Sequence, residues 1–318
     1  MREMILERDR MKNTSDRRAE LYSLLGDLPA RDLPLTVKTV CIEQKQGYTV
    51  ERLVLNPAAG TAENPYGLPI PALFLRPDGD GPFPAILFSH SHGGFYDKGK
   101  EEIFSPAPYM YPRPYGEDLT KLGFAVLAID AWCFGERSGR IELSVFKDLY
   151  WHGQVLWGRM VYDSLRAFDY LLTRKDVCSD RIGVLGMSMG STMSWWLAAL
   201  EERIKVCADI CCLTDFDALL EEDGLSRHGI YYFVPDLLNH FTASEINALI
   251  APRPRLATVG IFDPLNPLRG VDRIEREVKD VYAEYGAKEN FSVLRFPVAH
   301  RETAEMRQDI LDFLKNNL

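Results

Sequence analysis

Residues 181–190 read Arg-Ile-Gly-Val-Leu-Gly-Met-Ser-Met-Gly: a short apolar run, then a Gly-x-Ser-x-Gly motif centred on Ser188. A helical stretch with Met193, Trp195, Trp196 and Leu197 follows, to Leu200. The motif alone is weak, because Gly and Ser are common. Between a strand and a helix it gains meaning: the tight turn exposes the serine hydroxyl, and the flanking glycines let strand and helix approach. The spacing therefore predicts a nucleophile at Ser188. A serine hydroxyl attacks poorly until a base takes its proton, and that base needs an acid to hold its tautomer.

For such an elbow the acid and then the base follow the serine in the chain. The histidines after Ser188 are His228, His240 and His300. His300 follows the last predicted strand, where a base on a strand-end loop belongs; His228 and His240 precede any suitable acid. Asp263, directly after the run 255–261, is the candidate acid. Asp272 and Glu275 lie in a charged run that reads as a solvated helix face, and an Asp-Pro pair such as Asp263-Pro264 also suits a plain turn. The oxyanion of a tetrahedral intermediate needs two N–H donors. Met189, next to the nucleophile, supplies one, and the loop His90-Ser91-His92-Gly93-Gly94 the other, with His92 favoured and Gly93 the alternative. His-x-His also has a chelating pattern, but no later cluster completes a site, so no metal and no cofactor are expected.

Composition narrows the class. The chain has 318 residues, 46% hydrophobic and 26% charged, with a formal charge of −9. That balance opposes nucleic-acid binding, and no apolar run is long enough to span a bilayer. The start, MREMILERDRMKNTSDRR, carries no apolar signal core, so a cytoplasmic location is expected. The six cysteines form no CxxC pair and read as reduced and structural. Homo-oligomerisation is left open.

The elements that must position these residues follow in order. Residues 1–34 read as an N-terminal helical arm that packs through Leu21, Leu24 and Leu25. Runs at 37–42, 48–55 and 72–75 suit half-buried antiparallel strands. Runs at 84–89, 124–129, 182–187, 204–210, 255–261 and 291–296 suit strands of a parallel sheet, several buried on both faces. An amphipathic helix is expected over 154–172 and a closing helix over 304–314. Alternation of buried strands and helices predicts one α/β domain across 1–318, with a mostly parallel central sheet covered by helices on both faces. Residues 214–252, an aromatic-rich insertion, are expected to form a cap over the carboxyl ends of the strands. His228, Tyr231, Tyr232 and Trp132 are candidates for the substrate pocket.

Ser188, Asp263 and His300, with the HSHGG loop and the DAWCFGER loop (130–137), resemble an α/β-hydrolase. Within that superfamily the chain resembles the dienelactone hydrolase-like and acetyl xylan esterase-like branch, related to the catalytic domain of prolyl oligopeptidases. The resemblance spans about residues 35–318. It implies carboxylic ester hydrolysis through a serine acyl-enzyme without cofactor: Ser188 as nucleophile, Asp263 as orienting acid, His300 as general base, and a small-molecule ester as substrate. Met189 stands where carbohydrate deacetylases of this kind often carry Gln, and Ser188 stands where a dienelactone hydrolase proper has Cys. The competing expectations are a serine peptidase or amidase, which shares the acyl-enzyme route, and a non-catalytic binding protein on the same scaffold.

Overall fold

The computed structural model describes residues 14–57 and 67–318; the first part of the expected arm, residues 1–13, lies outside the described residues. Among the described residues the sheet has nine strands: β1 (Leu35–Lys45), β2 (Tyr48–Pro57), β3 (Ile70–Pro77), β4 (Phe83–Ser89), β5 (Ala125–Ile129), β6 (Val177–Met187), β7 (Val206–Ile210), β8 (Arg255–Gly260) and β9 (Phe291–Phe296). Their spatial order is β1-β2-β3-β5-β4-β6-β7-β8-β9. The pairs β1/β2, β2/β3 and β3/β5 are antiparallel, and every pair from β5/β4 to β8/β9 is parallel. This is the α/β-hydrolase fold.

Alternation along the strands divides the core between the two faces. Ala85 and Leu87 of β4 point to one layer, Ile86 and Phe88 to the other. The first layer holds α1 (Thr14–Ser23), α4 (Leu156–Thr173), α5 (Met189–Leu200) and α9 (Leu268–Glu284); the second holds α2 (Tyr115–Lys121) and α10 (Ala304–Asn317). Between them in the chain lie α3 (Glu142–Trp151) and the short helices α6 (Phe216–Glu221), α7 (Leu237–His240) and α8 (Ala243–Ala248), the last three all within 214–252.

Two expectations need correction. β1 is not half-buried: it is an edge strand with Val40 59% and Ile42 64% exposed, because among the described residues no layer covers that end of the sheet. The helix over 154–172 is amphipathic only in pattern, since α4 is buried nearly all round, pressed between the sheet, α1 and α5. Even its Arg166 is absorbed, donating to the backbone carbonyls of Arg31 and Leu33.

The arm is tied down. Leu21 and Leu25 are fully buried, Arg18 donates to the Ala199 and Leu249 carbonyls, and the Arg17 guanidinium lies 3.8 Å from the Phe241 ring centroid. Gly158 leaves the space for this docking: a β-carbon there would meet the Leu25 carbonyl oxygen at 1.9 Å.

Candidate active site

Strand order decides where the site lies. The chain passes from β4 to β5 on one side and reaches β6 on the other, so a crevice opens beyond the carboxyl ends of β4 and β6. Ser89 of β4 pairs with Gly186 of β6, which sets the HSHGG loop beside the elbow. On the far side, Gly260 pairs with Phe296, and the Phe262 N–H donates to the Val298 carbonyl at 3.0 Å. These bonds hold the loop bearing Asp263 against the loop bearing His300.

Ser188 occupies the turn between β6 and α5 with φ 59° and ψ −117°. Its N–H is held by the Ile210 carbonyl at 2.9 Å. A non-glycine residue here carries strain of about 1–3 kcal/mol, which the packing around it must outweigh. The three predicted residues form one hydrogen-bonded chain. His300 Nδ1–H donates to Asp263 Oδ2 at 2.7 Å, and Nε2 accepts from Ser188 Oγ–H at 2.9 Å. The Asp263 carboxylate is fully buried and also accepts from the Leu265 N–H and the Asn266 side-chain amide. Such an arrangement fixes the imidazole tautomer and aims a basic nitrogen at the hydroxyl. Asp272 and Glu275, rejected from sequence as the acid, pair instead with Arg295 on the surface.

Met189 is the first residue of α5, where backbone N–H groups lack intrahelical partners. Opposite it, the HSHGG loop is braced from below. Glu102 accepts from the Ser91 N–H at 2.8 Å and from the Ser91 hydroxyl, which also meets the Tyr109 hydroxyl at 2.5 Å. Burial raises the Glu102 carboxyl to about 7. The two histidines of the loop turn to different partners. His90 Nδ1–H donates to the Ser91 carbonyl and Nε2 accepts from the Ala131 N–H; burial lowers its pKa and keeps it neutral. His92 reaches Glu142 at 3.2 Å and stacks on Tyr231 with centroids 5.2 Å apart.

A cavity of about 330 Å³ opens over Ser188 and His300. Its walls include His92, Tyr109, Arg227, His228 and Tyr231. His228 Nε2 is held by the Leu265 carbonyl at 3.0 Å, and burial lowers its pKa. Trp132 and Tyr232, both expected in the pocket, do not line this cavity. Trp132 turns into the core and donates its indole N–H to Asp163 at 2.8 Å, while Tyr232 packs behind Tyr231 against Phe216. Sequence reasoning missed Glu102, Tyr109, Glu142 and Arg227. None sits in a local motif; the fold brings them in from three separate segments.

The family model for X-Pro dipeptidyl-peptidases of the S15 family matches residues 67–249, more than half of the chain. The protein of Bacillus subtilis (strain 168) named "Putative hydrolase YtaP" is 48% identical over 302 residues, which cover 95% of this chain and 98% of that one. The chain belongs to the S15 family. The matched region contains Ser188 and the HSHGG loop and stops short of Asp263 and His300. Solved structures extend the likeness over the whole fold. A glucuronoyl esterase from Solibacter usitatus aligns with a TM-score of 0.68 at 16% identity, covering 97% of this chain and 93% of that one. Acetyl xylan esterase 1 from Thermoanaerobacterium sp. JW/SL YS485 aligns with a TM-score of 0.62 at 16% identity, covering 96% and 93%. Among the described residues no helix is long and apolar enough to cross a membrane.

Proposed function

We propose that the protein is a serine carboxylesterase that hydrolyses small esters, acetyl esters among them, through an acyl-enzyme on Ser188. The observation that carries this reading is the unbroken hydrogen-bond chain Ser188–His300–Asp263 at the floor of an open cavity. His300 Nε2 takes the proton as Ser188 Oγ attacks the ester carbonyl, and the buried Asp263 carboxylate stabilises the imidazolium. The Met189 N–H and a loop amide, that of His92 or Gly93, receive the oxyanion, each worth about 3 kcal/mol of barrier. His300 returns the proton to the leaving alcohol, and water repeats the sequence on the acyl-enzyme. The substrate pocket is assigned to His228 and Tyr231, under a cap formed by 214–252 within a single domain.

The family name favours a second reading, an X-Pro dipeptidyl-peptidase. Such an enzyme must hold a free substrate amino terminus, for which a carboxylate in the cavity is the natural partner. Among the described residues no Asp or Glu lines the cavity over Ser188. This favours the esterase. Names of the structural relatives, acetyl xylan and glucuronoyl esterases, point the same way.

The test is hydrolysis of 4-nitrophenyl esters from acetate to octanoate, beside an X-Pro dipeptide anilide, by wild type and Ser188→Ala. Ester turnover that is greatest on acetate and lost in the variant is expected. Turnover of the anilide with every ester inert would replace this reading by the peptidase.

A further inference from the structure

Most arginines of this acidic chain are spoken for by carboxylates. Arg52, Arg137, Arg174 and Arg307, for example, each lie within 2.5–2.9 Å of an Asp or Glu oxygen. Two that flank the catalytic histidine are not. Arg227 lines the cavity over Ser188, and Arg301 lines a second, more open cavity of about 520 Å³ on the other side of His300. The two cavities share Tyr109 and His300. Both arginines are exposed, and among the described residues no carboxylate lies within ion-pair distance of either. Nor, among the described residues, does any Asp or Glu line either cavity.

Arg227 is nevertheless held in place. Its Nη1–H donates to the Pro264 carbonyl at 3.0 Å, directly after the Asp263 that orients His300. That bond uses one of five guanidinium donors, and among the described residues the others have no hydrogen-bond partner. Pro264 itself borders the second cavity. A chain with net charge −9 repels anions at long range. An unpaired cation in each of the two cavities that meet at His300 opposes that repulsion locally.

We propose that Arg227 and Arg301 recognise a free carboxylate on the substrate, so that the preferred esters are anionic. This rests on the esterase reading. A planar guanidinium pairs with a carboxylate through two parallel hydrogen bonds, and such charge-assisted bonds are strong where water is partly excluded. The substrate is then an ester bearing a second, unesterified carboxyl group a few bonds from the scissile carbonyl, on its acyl or its alcohol side.

The test compares matched pairs that differ only in that charge: 4-acetoxybenzoate against phenyl acetate for the alcohol side, and monomethyl adipate against methyl hexanoate for the acyl side. For at least one pair, wild type should favour the anionic member in kcat/KM by about tenfold or more, the size of one charge-assisted contact. Arg301→Gln or Arg227→Gln should drive that ratio towards one, and the Lys variant at the same position should restore much of it. The Arg301 variants are the cleaner pair, because among the described residues that side chain makes no hydrogen bond. Ratios near or below one in wild type would overturn the proposal, as would a preference that survives both Gln substitutions. If wild type turned over none of the four esters, the esterase reading itself would fail. Calorimetric titration of Ser188→Ala with 4-acetoxybenzoate and phenyl acetate then decides the anion site alone. Tighter binding of the anion, lost on adding Arg301→Gln or Arg227→Gln, supports it, and equal binding overturns it.

Discussion

Gly190 lies against Ser89 so closely that a β-carbon on it would meet the Ser89 carbonyl oxygen at 2.0 Å. The contact joins the first turn of α5 to the end of β4, and so locks the turn bearing Ser188 to the loop expected to bind the oxyanion. Backbone stands on both sides, so neither can give way cheaply. Gly190→Ala should destabilise the protein by about 3 kcal/mol or more, in the range reserved for a steric clash in the core. A urea midpoint equal to wild type would sink this account of the glycine.

The strain at Ser188 makes an unusual ordering of variants. Ala in a left-handed conformation is penalised where Gly is not. Ser188→Gly should therefore be more stable than Ser188→Ala by about 1 kcal/mol, the reverse of the usual effect of Gly, while neither turns over ester. Thermal unfolding of the two variants side by side checks the order.

Asp263 is buried and bonded to His300, so an amide in its place would present an N–H where the imidazole also carries one. The ring would then turn or change tautomer, and the nitrogen facing Ser188 would cease to be basic. Asp263→Asn should lower kcat by on the order of 10⁴ with the fold retained. A loss below about tenfold, at unchanged circular dichroism, would remove Asp263 from the acid's role.

Glu102 supplies a pH dependence. Its folded carboxyl, raised by burial to about 7 from an ordinary 4.5, holds its proton more tightly than the unfolded one does. Between those two values the native state binds more protons, so this group's contribution to stability falls as pH rises. The decline is of order 3 kcal/mol, absent below pH 4.5 and finished only above the folded pKa of about 7. In Glu102→Gln the unfolding midpoint should lose that component of its slope between pH 5 and 7. An unchanged slope would show that the carboxyl titrates normally.

The arm has its own signature. Leu21 and Leu25 are fully buried against the helical layer, and truncating either to Ala should cost about 2–5 kcal/mol. Gly158→Ala, which drives a β-carbon into the Leu25 carbonyl, should expose the arm to limited proteolysis before the rest of the chain. Cleavage rates matching wild type would argue against that docking.

What the sequence determined was order and local chemistry. Gly-Met-Ser-Met-Gly between an apolar run and a helical one announces a strained turn, and chain order together with a place just after a strand picks Asp263 and His300 from their rivals. The parallel strands were legible too, because burial on both faces requires continuous apolar runs. Residues remote in sequence lay beyond that reach. Glu102 and Tyr109 become partners of Ser91 only through the packing of the β4–β5 loop. Arg227 enters the mouth only because its segment folds back to Pro264. Trp132 looked like a pocket aromatic until its indole N–H found Asp163 in the core. Periodicity records which face of an element is apolar, and it is silent about what covers that face. For that reason β1, with a strand's composition, proved an open edge, and α4, with an amphipathic helix's pattern, proved buried nearly all round. Local sequence encodes backbone propensity and the identity of the reactive groups. Which distant side chains share a cavity is decided by sheet order and loop closure, and these exist only once the whole chain has packed.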